Sequence, residues 1–110
     1  IVNCPLSIVN CAQAQAQINY QQEYKNAKLL FQEGKYNLAM ENFKKVIPYD
    51  QANDYSQYAS FYYAVAAFKQ RYFSVSKDML NQIKMLYPNW EKIEEVNYWL
   101  ALNLLETGDI

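Results

Sequence analysis

Displaced by 37 residues, the sequence falls into register with itself without a gap. Ala27, Ala64 and Ala101 align, as do Tyr24, Phe61 and Tyr98; Leu30, Ala67 and Leu104; and Phe31, Phe68 and Leu105. Gly34, Arg71 and Gly108 follow, then Tyr36, Phe73 and Ile110. Two copies continue with Ala39 and Ser76, Phe43 and Leu80, Val46 and Ile83. A period of this length constrains the fold more than any local motif does. Each copy is one supersecondary unit that cannot bury its apolar side alone, so the copies must stack.

The spacing inside a copy is helical. Ala27, Leu30 and Phe31 stand three and four apart, Gly34 interrupts, and Ala39, Phe43, Val46 and Ile47 resume the same steps. One copy therefore reads as two antiparallel helices joined by a short turn. Helices are expected over 18–33, 36–47, 55–70, 73–87 and 90–106. The fold class is all-α: about five helices, forming two full helix-turn-helix repeats plus the first helix of a third. Two glycines and three prolines in 110 residues suit long helices better than a turn-rich β fold. Pro48 and Pro88 follow the second and fourth helices. Asp54-Tyr55-Ser56-Gln57 has the spacing of a capping box, and Asn89 is a natural N-cap. The aligned alanines 27, 64 and 101 belong where paired helices approach closely. Gly34-Lys35 lies between two helices, without the several glycines of a phosphate loop, so it reads as a helix C-terminus with positive φ at Gly34.

These residues resemble the tetratricopeptide-repeat family. Its pattern has a small residue early in the first helix, a Gly-x-Tyr turn, an Ala in the second helix, an aromatic four residues on, and a proline after the pair. The first copy supplies Ala27, Gly34, Tyr36, Ala39 and Phe43; the second supplies Ala64, Phe73, Ser76, Leu80 and Pro88; a third begins with Ala101, Gly108 and Ile110. The resemblance runs from about residue 20 to the end and implies a right-handed superhelix. Arg71 departs from the pattern, as does Pro48, and 37 exceeds the family's usual period of about 34. On this reading helix 90–106 exposes an apolar face around Leu100 and Leu104, and the natural protein continues past Ile110.

Charge appears only after residue 22, the remaining 88 residues carrying all ten basic and eleven acidic side chains. Residues 1–11 are mostly apolar but too short to span a bilayer, which takes roughly 20. Two small-x-small triplets follow, Ala12-Gln13-Ala14 and Ala14-Gln15-Ala16, as at the end of a secretory leader. Residues 1–16 are thus read as a signal-peptide remnant or a disordered tail, and 17–110 as the repeat domain. Cleavage at either triplet would remove Cys4 and Cys11, whose spacing fits no metal motif. Lipidation at Cys11 fits less well, because Asn10 precedes it.

Several function classes find no support. The chain has no histidine, hence no Ser-His or Cys-His arrangement and no histidine metal ligand. With net charge −1 and interspersed signs, no basic stripe is present to neutralise phosphates. Glu91, Glu94, Glu95 and Glu106 share the last helix, but Glu91 and Glu95 read as an exposed i,i+4 row. The reading is non-enzymatic, with no cofactor, metal or nucleic acid.

What the resemblance implies is a concave groove lined by the first helix of each pair. The register places Tyr24, Lys25, Lys28 and Phe31 there from the first such helix. Phe61, Tyr62, Val65, Phe68 and Lys69 come from the second, and Tyr98 and Trp99 from the third. Rings give contact area at low entropic cost, and lysines attract acidic groups, which suits a partner protein's extended segment or helix. The family's carboxylate-gripping subtype does not fit, since Tyr24, Tyr62, Glu95 and Trp99 occupy most of its basic and amide positions. The expected function is a protein-interaction scaffold in the bacterial periplasm or cell envelope, touching membrane only through a leader or lipid anchor. The alternatives are a structural spacer or dimerisation module, pairing through helix 90–106, and an intracellular adaptor.

Overall fold

The computed structural model describes residues 18–108; the leader reading and Ile110 lie outside that range. The described residues form five helices and contain no strand. They are α1 (Tyr20–Gln32), α2 (Tyr36–Lys44), α3 (Ser56–Lys69), α4 (Phe73–Leu86) and α5 (Ile93–Thr107). None is long and apolar enough to cross a membrane.

The turns explain the element boundaries. Gly34 has φ +79, and the Gly34 and Lys35 amides donate to the Phe31 and Leu30 carbonyls at 3.0 and 2.9 Å. The Arg71 and Tyr72 amides donate in the same pattern to Phe68 and Ala67, at 2.8 and 2.9 Å, with Arg71 at φ +67. Lys35 and Tyr72, which open the next helices, share φ −89 and ψ 69. Gly108 closes α5 at φ +75. The three left-handed residues stand 37 apart, so the arginine occupies the glycine's conformation.

Boundaries differ from expectation where side chains and tight turns replace regular caps. α2 stops at Lys44 rather than at 47, because the Val46 amide turns back to the Phe43 carbonyl at 2.8 Å. α5 starts at Ile93 rather than at 90, after two successive turns in which the Trp90 and Ile93 amides donate to Tyr87 and Trp90. Asn89 is therefore not the cap; Lys92 holds that position without a side-chain bond. The Asp54 capping box is also absent, since the N-cap of α3 is Tyr55, again without a side-chain bond. The neighbouring Asn53 organises that connection. Its Nδ2 donates to the carbonyls of Val46 (2.7 Å) and Pro48 (3.2 Å), and its Oδ1 accepts from the Tyr55 amide (2.9 Å). The Ser56 hydroxyl donates to the Ile47 carbonyl, tying the start of α3 to the end of α2. At the start of α1, Asn19 Oδ1 caps the Gln22 amide at 3.0 Å.

Consecutive helices pack in order, and α3 touches every other helix. One buried cluster joins Ala27, Ala39, Phe43, Val46 and Ala59; a second joins Phe61, Ala64, Val65, Leu80, Ile83 and Val96. Phe31 and Tyr62 pack against both and weld them together. Ala27 and Ala64 are fully buried, as helix proximity requires. Ala101 is exposed instead: among the described residues no helix covers its side of α5.

Candidate functional site

The odd-numbered helices adjoin one another, α1 touching α3 and α3 touching α5, whereas α2 and α4 do not meet. The helices thus draw together on the odd side, where the expected groove residues lie, and spread on the even side.

Five of those residues form a half-buried aromatic row on this side: Tyr24 and Phe31 on α1, Tyr62 and Phe68 on α3, and Trp99 on α5. Phe31 meets Tyr62 edge-on, centroids 5.4 Å apart, and Phe68 meets Trp99 in the same way at 5.2 Å. Tyr62 also stacks on the buried Phe43 at 6.0 Å. Such pairs are worth about 0.5–1.5 kcal/mol each beyond their burial, so the fold itself holds the rings in place. Burial lifts the Tyr24 phenol above the ordinary tyrosine range, with Tyr62, Tyr58 and Tyr55 adding to the effect.

The lysines lie over ring faces. Lys28 Nζ sits 4.4 Å from the Tyr62 centroid and 5.6 Å from that of Tyr24, and Lys69 Nζ lies 5.8 Å from Trp99. A cation in that position is attracted by the ring quadrupole while its ammonium still faces water. Lys25 and Tyr98 are exposed, Tyr98 by 59 %. Phe61 and Val65 differ from the expectation. Each is only 4 % exposed and belongs to the second core cluster, so neither presents a ring or branch to a partner.

Sequence periodicity missed part of the row. Tyr55 stacks on Tyr24 at 4.9 Å, and Tyr58 stands edge-on to Trp90 at 5.2 Å. The Tyr58 hydroxyl donates to Glu91 Oε2 at 3.0 Å, which raises the phenol's pKa. Glu91 precedes α5 rather than lying on it, and Glu95 pairs with Lys92 at 3.4 Å, so the expected carboxylate row does not form. Trp90 sits in the α4–α5 connection, where no helical period could assign it a face; the cluster of rings around Tyr87-Pro88-Asn89-Trp90 was the available signal.

Elsewhere, an open hollow at the start of α1 is lined by Asn19, Tyr20, Asp50, Asp54 and Tyr55. The Tyr20 hydroxyl donates to Asp50 Oδ2 at 2.9 Å, and Asp50 Oδ1 accepts from the Ala52 amide at 2.9 Å. Those two bonds, the backbone one first, hold the Asp50 carboxyl below the usual range. No group of three metal-ligating side chains occurs among the described residues. Comparison with family models, curated proteins and solved structures finds no match.

Proposed function

We propose that this chain is a helical-repeat module of the tetratricopeptide-repeat type, non-enzymatic, that binds an extended or helical segment of a partner protein along its odd-helix face. The observation that carries this reading is the row of pre-packed rings crossing α1, α3 and α5 with lysines over their faces. A groove ordered in advance spares a partner the entropy of arranging it. The recurrence of left-handed turns at residues 34, 71 and 108 supports the repeat assignment.

The chemistry favours a segment mixing apolar and acidic side chains. Displayed peptide libraries should enrich such sequences. Reversing charge with Lys25→Glu and Lys69→Glu together should weaken the selected peptides by roughly tenfold. Enrichment of basic peptides, or indifference to those substitutions, would contradict the reading.

Export to a bacterial periplasm or envelope is proposed from the uncharged N-terminal stretch. Mass spectrometry of protein from its host should find an N-terminus near Gln15 or Gln17; an intact Cys4 would overturn it. A second reading, a spacer or dimerisation module, draws on the exposed apolar side of α5.

A further inference from the structure

We infer that the odd-helix face holds two equivalent carboxylate subsites, one helix step apart, which take acidic side chains three residues apart on a polyproline-type segment of a partner protein. This rests on the peptide-binding reading above and names the backbone and the acid spacing that the face selects.

The ring pairs repeat with the sequence. Phe31 meets Tyr62 and Phe68 meets Trp99 edge-on at 5.4 and 5.2 Å, and each residue of the second pair stands 37 beyond its counterpart. The lysines above them do not repeat. Lys28 corresponds to the buried Val65, and Lys69 to Gln32. Their ammonium groups nevertheless reach equivalent rings, Lys28 Nζ lying 4.4 Å from the Tyr62 centroid and Lys69 Nζ 5.8 Å from that of Trp99. Each junction between odd helices therefore carries the same unit, two edge-on rings and a lysine over the second.

Neither lysine has an acid of its own. Ion pairs among the described residues join Lys35 to Glu33, Lys45 to Glu23, Arg71 to Glu106 and Lys92 to Glu95. Lys28 and Lys69 belong to none of them. A ring face attracts an ammonium without neutralising it, so both keep the capacity for a charge-assisted bond to a carboxylate.

The step between the units selects the partner's backbone. Tyr62 and Trp99 are displaced by one step of the stack, across the helices, and packed helices lie about 8–10 Å apart. A polyproline II segment rises about 3.1 Å per residue with three residues per turn, so side chains three apart share a side at about 9.3 Å. Same-side residues of a β-strand stand about 6.6 or 13 Å apart, on either side of that step. An α-helix falls short of it at four residues, about 6 Å, and passes it at seven, about 10.5 Å. Aromatic-lined faces also suit the prolines of such a segment, whose conformation is set before binding.

Proline-rich peptides with two glutamates at spacing two, three, four or six, in one host sequence, test this by calorimetry against the 110-residue chain. Spacing three should bind at least threefold more tightly than each of the others. Lys69→Gln, at an exposed position, should abolish that preference, and Lys84→Gln, exposed on α4, should leave it intact. Equal binding at every spacing, with amide shifts confined to the odd helices, would overturn this inference and leave the peptide-binding reading standing. Tighter binding of glutamates seven apart in a helical host would do the same, as would loss of the preference in Lys84→Gln. Failure of these peptides and of every library-selected peptide to bind would overturn the peptide-binding reading as well.

Discussion

Arg71 holds φ +67 where Gly34 and Gly108 hold +79 and +75, so one residue carries a strain its counterparts avoid. A side chain in this region costs about 1–2 kcal/mol. No atom lies within 4 Å of a Cβ built on Gly34, so Gly34→Ala should cost about 1 kcal/mol through conformation alone. Arg71→Gly should gain about 0.5 kcal/mol, the relief being partly offset by a looser unfolded chain. Its ion pair with Glu106, 3.6 Å long and exposed, subtracts little. Chemical denaturation of both variants checks the pair. The other residue under tension is Asn103, 1 % exposed, whose Nδ2 donates to Ser76 Oγ and the Trp99 carbonyl at 3.0 Å each while its buried Oδ1 has no partner. Ser76→Ala alone strands the amide further and should cost about 1–3 kcal/mol; Ser76→Ala with Asn103→Ala should cost less than that single change. A double-mutant denaturation cycle reads this directly. Alkali supplies a third test. The folded Tyr24 phenol resists ionisation, so its contribution is complete below the ordinary value of 10.0 and is lost as pH rises above it and the unfolded chain ionises. Tyr24→Phe should therefore flatten the fall in melting temperature above pH 10.0.

At the scale of elements, the helices and their turns were legible because the period and the glycine spacing record them twice over. Gly34 and Tyr36 located the first turn, and the register carried it to Arg71 even though arginine gives no local hint of positive φ. Which flank of a helix is covered was less legible, because a 3.6-residue rhythm identifies an apolar side without naming the neighbours. α3 shows why. It touches every other helix, so Phe61 and Val65, placed in the groove by register, are enclosed. Ala101 errs the other way, matching Ala27 and Ala64 in sequence but left exposed because no helix among the described residues covers its side of α5. Cap residues were misjudged for a related reason. Asn53 bonds the carbonyls at the end of α2, a tertiary use that a capping motif around Asp54 could not anticipate. The fully buried Phe43, in ring contact with Tyr24, Phe31 and Tyr62, ties α2 to both odd helices beside it. Phe43→Ala should cost about 3–5 kcal/mol, checked by urea denaturation.

At the scale of the molecule, the five helices of the described residues draw together on one side and place rings from α1, α3 and α5 in one row. Tyr62 sits in that row and in both core clusters, so truncating it tests folding rather than recognition. Lys25, Lys69 and Tyr98 are exposed, so their substitution tests the proposed recognition without disturbing the core. The decisive measurement is an amide and indole shift map recorded while a library-selected acidic, apolar peptide is titrated into the chain. Shifts should concentrate at Lys28, Tyr62, Lys69, Tyr98 and the Trp99 indole, leaving Met85 and Leu86 on α4 unmoved. Shifts centred on α2 and α4 instead, with the odd helices silent, would contradict recognition along the aromatic row.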